Sequence, residues 1–110
     1  MSRAQGTAAA KQRGVGTSIE LFTGGGGMAL AMHAAGFRHV LAVEIEPRAC
    51  ATLLANRATG FDPAAPDPKN LTDPWPLIAG DVREVDFTPW QGKVDIVAGG
   101  VPCQPWSLGG

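Results

Sequence analysis

The sequence is poor in the features that mark secreted, membrane-spanning and strongly basic proteins. Its two cysteines are too few for a disulfide framework, and its apolar runs fall well short of the ~20 residues that cross a bilayer. The sequence has nine Lys and Arg residues and ten Asp and Glu residues. The resulting net charge of -1 excludes a protein that binds nucleic acid by charge alone. Residues 1–16 lack the continuous apolar stretch of a secretory signal. These absences predict a cytoplasmic protein without a membrane span.

The remaining composition is that of a folded domain. Apolar residues make up 45% of the 110 residues and charged residues 17%, which predicts one domain with an apolar core. Residues 1–16 have no periodicity and few large apolar side chains, so we expect a flexible tail there, or a partly ordered lead-in, and the folded part at 17–110. Glycines are concentrated at two places, 24–27 and 99–100, which are therefore the first places to look for a site.

Short apolar runs alternate with helix-forming segments along the chain. Strands are expected at 17–22, 39–44, 77–79 and 93–98, and helices at 28–35 and from 48 to about 57. Gly36 is predicted to end the first helix, and the proline-rich stretch 58–76 is predicted to be a loop. Buried strands joined by helices indicate an α/β, Rossmann-like three-layer parallel sheet with right-handed crossovers. Ligands of such sheets bind beyond the carboxyl ends of the strands.

Four consecutive glycines, from Gly24 to Gly27, stand between the first predicted strand and the first predicted helix. Glycine permits a tight turn and a close approach of ligand to backbone, and this spacing is typical of nucleoside-type cofactor sites. Glu44 follows Gly24 by 20 residues and ends the second strand, where a carboxylate can accept both hydroxyls of a ribose. The pattern does not separate a dinucleotide from S-adenosylmethionine, and a merely flexible glycine turn is the alternative.

Three further residues are candidate contacts of an adenine ring. Asp81 follows the third strand, where its carboxylate could accept from the adenine amino group and the Val82 amide could reach a ring nitrogen. The alternative for Asp81 is an ordinary surface turn. Ile45 could pack on the face of the ring or belong to the core.

Cys103 lies in a loop after the last predicted strand, with Pro102 before it and a second proline two residues after it. Prolines stiffen the backbone, and a stiff loop at the carboxyl end of a sheet suits a nucleophile with a lowered thiol pKa or a nearby base. An inert buried cysteine is the alternative, and it is the prediction for Cys50 in the second helix. No ligand spacing predicts a metal site. His33 and His39 have no evident partner and are assigned to a helix face and a strand entry.

Four segments together resemble the opening motifs of the DNA (cytosine-5-)-methyltransferases, namely ELFTGGGGMALAMHAAGF, AVEIEP, GDV and GGVPCQPWS. The resemblance covers about residues 17–110, and the Pro-Cys-Gln element after a glycine pair is its most specific part. Glu20 stands where the family usually has Asp, Trp106 replaces the more usual Phe, and the glycine run has one extra member.

The resemblance implies the truncated first half of an S-adenosylmethionine-dependent methyltransferase fold. Cys103 would add to carbon 6 of a cytosine flipped out of double-stranded DNA, so that carbon 5 accepts the methyl group. The implied cofactor contacts are Phe22, Gly24, Gly26, Gly27, Glu44, Ile45, Asp81, Val82 and Pro102, and Gln104 and Ser107 would line the DNA side.

The sequence ends at Gly110, before a later glutamate, arginines and target-recognition domain that the family uses. Neither Asp95 nor Glu84 is assigned the glutamate's role. We therefore expect the chain to be inactive alone, or active only with a complementary carboxyl-terminal chain. The alternatives are a nicotinamide-dependent oxidoreductase, which leaves the Pro-Cys-Gln loop unexplained, and a non-catalytic cofactor-binding or assembly subunit, for which an open sheet edge would favour association.

Overall fold

Five parallel strands and two α-helices form the part of the chain that the computed structural model describes, residues 12–21 and 27–99, with only the backbone at 27 and 28. The strands are β1 (Gly16–Leu21), β2 (Phe37–Glu44), β3 (Ala58–Gly60), β4 (Trp75–Ala79) and β5 (Ile96–Gly99). The helices are α1 (Gly27–Ala34) and α2 (Pro47–Asn56), and two short 3-10 turns follow β4 at Val82–Glu84 and Thr88–Trp90. Within these residues no helix has the length and hydropathy of a membrane span.

The strands lie in the order β3-β4-β2-β1-β5, and every pair is parallel. The chain moves from β1 outward through β2 to β3 and β4, and then returns past β1 to place β5 on its other side. This order confirms the predicted α/β, Rossmann-like parallel sheet. The reversal beside β1 is the kind of switch point at which such sheets bind ligands.

The strand β3 was not predicted: it lies inside the stretch 58–76, which was expected to be a loop. It has only three residues, which is too short for a hydrophobic period, and prolines dominate the sequence around it. It forms because β4 offers a row of backbone groups, and the Phe61 N–H extends the pairing to the Leu77 carbonyl oxygen (2.9 Å). β4 begins at Trp75, two residues before the predicted start, and includes Pro76. β5 begins at Ile96, three residues later than predicted.

Two apolar clusters cover the two faces of the sheet. The first brings both helices onto the sheet, and it consists of Ala29, Ala42, Cys50, Leu53, Trp75 and Leu77. The second joins the sheet to the 3-10 turn that ends at Trp90, and its buried members are Ile19, Val40, Leu41, Val43 and Trp90. Cys50 is buried, as predicted for a core residue, and its Sγ donates to the Glu44 carbonyl oxygen (3.2 Å).

An irregularity in the pairing of β1 with β2 changes the direction of one side chain. Ser18 is opposite His39, but the next residue of β1, Ile19, is opposite Leu41, so Val40 is an extra residue on β2. Side chains alternate between the faces of a strand, and an extra residue reverses that alternation. His39 therefore lies on the helix face, where its ring packs edge-on against Trp75 with centroids 4.3 Å apart.

Residues 12–15 are attached to the domain by backbone hydrogen bonds. The Val15 N–H donates to the Gly36 carbonyl oxygen (2.8 Å), and the Leu71 N–H donates to the Gln12 carbonyl oxygen (2.7 Å). These bonds join residues 12–15 to the turn after α1 and to the loop before β4. Residues 1–11 lie outside the described part, where the tail stays a prediction.

We expect Gly36→Ala to lower the free energy of unfolding by about 1–2 kcal/mol, because Gly36 has φ +98°, a conformation that a side chain opposes. Urea unfolding followed by circular dichroism measures the loss. Gly60→Ala is the matched control, since a Cβ at Gly60 meets no atom within 4 Å and its φ lies outside the left-handed region. Equal losses for the two variants would contradict the prediction.

Candidate functional site

The carboxyl ends of three neighbouring strands meet at one edge of the sheet. Leu21 at the end of β1 pairs with Val43, and Glu44 at the end of β2 pairs with Ala79 at the end of β4. The Gly80 N–H donates to the Glu44 carbonyl oxygen (2.8 Å), so the turns after β2 and β4 are joined. Because ligands of parallel α/β sheets bind beyond this edge, the residues that follow β2 and β4 are the candidate site.

Glu44 is held in one orientation by the turn that follows it. Its side chain is 5% exposed, and Oε2 accepts from the N–H groups of Ile45 (3.0 Å) and Glu46 (2.9 Å). Glu46 in turn caps α2 by accepting from the Ala49 N–H (2.7 Å). Backbone donors are strong partners for a carboxyl oxygen, so this side chain is held in place at the end of β2.

Ile45 presents an apolar side chain to solvent beside this carboxylate. It is 58% exposed, which rules out the alternative prediction of a core residue. An exposed branched side chain next to a fixed acceptor is suited to contact one face of a flat, partly apolar ring. Contact with adenine stays a prediction.

Asp81 begins the first 3-10 turn and pairs with its neighbour Arg83. One oxygen accepts from the Arg83 N–H (2.9 Å), and the other lies 2.6 Å from Nη2 of the same residue. Hydrogen bonds from the Arg83 side chain and backbone lower the pKa of Asp81 to about 2. A ligand amino group would have to share this carboxylate with an exposed guanidinium. Val82 is partly buried against the second cluster, and its carbonyl oxygen accepts from the Val85 N–H (3.3 Å).

The structure does not test the roles predicted for the other site residues. Gly27 is described only as the first residue of α1. The roles of the remaining residues stay predictions, because they lie outside 12–21 and 27–99: Phe22, Gly24, Gly26, Pro102, Cys103, Gln104 and Ser107.

Comparison with known proteins decides the family. The sequence model of the C-5 cytosine-specific DNA methylase family matches residues 16–110. The chain belongs to this family.

The curated relatives of this methylase chain are much longer than it is. The Type II methyltransferase M.Eco47II of Escherichia coli is 45% identical over 94 residues, which are 86% of this chain and 19% of the relative. M.NgoMIV of Neisseria gonorrhoeae, also a Type II methyltransferase, is 45% identical over 94 residues, with 86% and 25% covered. The DNA (cytosine-5-)-methyltransferase M.ApeKI of Aeropyrum pernix is 35% identical over 94 residues, with 84% and 20% covered. The chain thus spans about a fifth to a quarter of these relatives.

The two acidic residues to which the later glutamate's role is not assigned, Asp95 and Glu84, lie just before β5 and in the first 3-10 turn. The Asp95 carboxylate accepts from the N–H (2.8 Å) and the hydroxyl (3.2 Å) of Thr17, which joins the entry of β5 to the amino end of β1. This contact lies at the amino ends of the strands, whereas Glu44 lies at a carboxyl end. Glu84 is exposed in the first 3-10 turn.

A buried polar cluster of Ser18, Glu20 and His39, here called the histidine cluster, was missed by the sequence analysis. Glu20 and His39 are each 1% exposed. His39 Nδ1 lies 2.5 Å from Ser18 Oγ and 3.5 Å from Glu20 Oε1, while Nε2 donates to the Ala29 carbonyl oxygen (2.8 Å). His39 lies in the second strand as predicted, but the sequence did not reveal its partners, which are Ser18, Glu20 and the Ala29 carbonyl oxygen. The sequence signal for this cluster is the presence of Ser18, Glu20 and His39 within otherwise apolar strands.

Burial shifts both titrating groups of the histidine cluster toward their neutral forms. It raises the pKa of Glu20 to about 7, against an opposing hydrogen bond from Ser18. It lowers the pKa of His39, and the bond to the Ala29 carbonyl acts in the opposite direction. A neutral carboxylic acid beside a neutral imidazole is the state in which neither charge is left buried and unpaired.

Glu20→Gln should change how stability depends on pH. A carboxyl with a folded pKa near 7 and an ordinary pKa of 4.5 stabilises the fold most below pH 4.5, and this contribution is lost as the pH rises toward 7. The glutamine variant lacks that loss, so its free energy of unfolding relative to the parent chain should rise by up to about 3 kcal/mol between pH 4.5 and 7. The lowered pKa of His39 has the opposite effect on stability in both proteins. Below the ordinary pKa of 6.5 the unfolded imidazole gains a proton that the folded one does not, so stability falls as the pH falls.

Chemical denaturation at half-unit pH steps measures this difference. Glu84→Gln, which removes an exposed carboxylate, is the control and should leave the pH dependence unchanged. A constant difference between Glu20→Gln and the parent chain would show that Glu20 titrates normally.

Proposed function

We propose that this chain is the cofactor-binding part of an enzyme that methylates carbon 5 of cytosine in double-stranded DNA, with S-adenosylmethionine as the methyl donor. The observation that carries the proposal is the fixed Glu44 carboxylate beside exposed Ile45, at the sheet edge where α/β proteins bind nucleoside cofactors. Family membership supports it. We propose a cytoplasmic location, because the proposed DNA substrate and cofactor are found there.

The described residues fit an adenosine group in charge and shape. The Glu44 carboxylate would accept the ribose hydroxyls, because two backbone donors set its orientation. Ile45 would cover one face of adenine, and Asp81 with the Val82 amide would contact its edge. Phe22, Gly24, Gly26, Gly27 and Pro102 complete the proposed contacts. The bound cofactor supplies an electrophilic methyl group.

Cys103 is the proposed nucleophile, and Gln104 and Ser107 are proposed to line the DNA side. The thiolate adds to carbon 6 of the cytosine, which makes carbon 5 electron-rich enough to take the methyl group. Loss of the carbon-5 proton and elimination of the thiolate then restore the ring. The base must first leave the duplex, because stacking covers its ring faces.

A complementary carboxyl-terminal polypeptide is the proposed partner. β5 pairs with β1 on one side, and among the described strands none pairs with its other side. Val97 of β5 is 60% exposed and helps to line an open apolar cavity of about 490 Å³, together with Leu21, Phe87 and Trp90. Exposed edges and apolar hollows of this kind favour association. The chain is expected to be inactive without this partner.

The nicotinamide-dependent alternative rested on the glycine run and Glu44 alone. Family membership explains both of these features and the Pro-Cys-Gln loop as well, so the oxidoreductase is not proposed. A non-catalytic cofactor-binding role differs from the proposal only in whether Cys103 reacts.

Glu44→Gln should weaken S-adenosylmethionine binding by about tenfold, because the amide keeps the turn but loses the charge that accepts the ribose hydroxyls. Calorimetry with S-adenosylmethionine and a nicotinamide dinucleotide side by side measures it. Glu46→Gln is the matched control, since its amide oxygen can still cap α2. Unchanged affinity in Glu44→Gln, or a preference for the dinucleotide, would refute the cofactor assignment.

Cys103→Ala should abolish methyl transfer from labelled cofactor to DNA while leaving cofactor affinity within about twofold, because the covalent adduct is lost and the proposed binding residues remain. The assay uses the chain with and without a supplied carboxyl-terminal half. Cys50→Ala is the control for loss of a thiol, since Cys50 is buried in α2. Methyl transfer that survives Cys103→Ala would exclude Cys103 as the nucleophile.

A further inference from the structure

The histidine cluster connects the sheet to the first turn of α1. Ala29 is the third residue of α1 and is fully buried, and its carbonyl oxygen accepts from His39 Nε2. In an α-helix, a carbonyl at this position accepts a hydrogen bond from the N–H four residues later. The bond from His39 is therefore an additional one, and it fixes the start of α1 relative to β2.

His39 reaches Ala29 because of the register shift in the sheet. With Val40 as an extra residue, the His39 side chain faces the helices and lies opposite Ser18. Because a carbonyl only accepts, the proton of a neutral His39 is on Nε2, and Nδ1 accepts from the Ser18 hydroxyl. Ser18 thereby selects the tautomer that can bind Ala29.

Glu20 makes this arrangement dependent on protonation. When Glu20 is neutral, the Ser18 hydroxyl is available to Nδ1 of His39. When Glu20 is charged and His39 stays neutral, the carboxylate and Nδ1 compete for the one hydroxyl proton of Ser18, which interacts with both groups. Among the described residues, the other rings close to His39 are the His33 imidazole on α1, 6.4 Å away between centroids, and the indole of Trp75 on β4. Arg57 acts electrostatically on His33.

We infer that His39 is a positioning residue, which Ser18 and Glu20 hold in the tautomer that places the first turn of α1 for S-adenosylmethionine binding. The inference rests on the proposed function, because α1 begins at Gly27, the last residue of the glycine run. It assigns the histidine cluster a role in cofactor affinity that is exerted through Ala29, without contact to the cofactor.

Two substitutions at His39 separate positioning from simple core packing. His39→Leu removes the donor to Ala29, and His39→Gln keeps an amide donor near the place of Nε2 but does not titrate. We expect His39→Leu to weaken S-adenosylmethionine binding at least tenfold and to accelerate amide exchange in α1, with β2 and β4 still protected. His39→Gln should recover affinity to within about threefold.

The pH profile of affinity adds a second readout. The parent chain should bind S-adenosylmethionine more weakly as the pH rises from 6 to 8.5, and Glu20→Gln should flatten that profile. Ile19→Val is the matched control, because Ile19 lies between Ser18 and Glu20 on β1 but packs in the opposite cluster. It should lower stability without changing affinity or its pH profile.

The outcomes distinguish this inference from the proposed function. A folded His39→Leu variant with parental affinity and unchanged α1 exchange would overturn the inference. If the parent chain binds no S-adenosylmethionine, the proposed function and the affinity part fail together, while α1 exchange still decides whether His39 holds the helix. If His39→Leu does not fold, nitrogen-15 spectra of the parent imidazole decide, since a proton on Nδ1 in place of Nε2 would refute the assigned tautomer.

Discussion

The parallel pairing of β1 with β2 is the contact on which the rest of the described structure depends. These strands occupy the middle of the sheet, with β5 beside β1 and β4 beside β2. Their inward residues on both faces are almost fully buried, so the pairing organises both apolar clusters at once. It also determines which residues meet at the carboxyl edge. The position of Glu44 and the direction of His39 both follow from this one pairing.

The register shift within that pairing has opposite effects on the two faces. On one face, the shift places the Val40 side chain in the second cluster, together with that of its neighbour Leu41. It also brings a polar ring to the helix face, where Ser18, Glu20 and the Ala29 carbonyl surround it. Buried polar groups destabilise a core unless they are partnered, and here each His39 nitrogen has a partner. The arrangement therefore combines specificity of helix placement with sensitivity to a single proton.

Much of the fold could be predicted from local sequence, and the reasons for the failures are physical. Apolar runs defined β1 and β2, Gly36 marked the end of α1, and Pro47 marked the start of α2, because each of these signals acts within a few residues. The strand β3 could not be predicted, since three residues beside Gly60 become a strand only when β4 is present to pair with them. In the site, the spacing of Glu44 from the glycine run predicted its position. Its bonds to the N–H groups of Ile45 and Glu46 are local, but no sequence pattern in the chain pointed to them. The partners of His39 depend on tertiary pairing that no local pattern encodes.

The contact between Thr17 and Asp95 has a consequence for the order of assembly during synthesis. It joins residues 78 positions apart, so a long stretch of chain must emerge from the ribosome before β1 gains its second neighbour. β1 and β2 are close in sequence and can meet early, whereas β5 docks after the other described strands. Until then one side of β1 offers unsatisfied backbone groups to other nascent chains. Chaperone dependence in the cell is expected to concentrate in that interval.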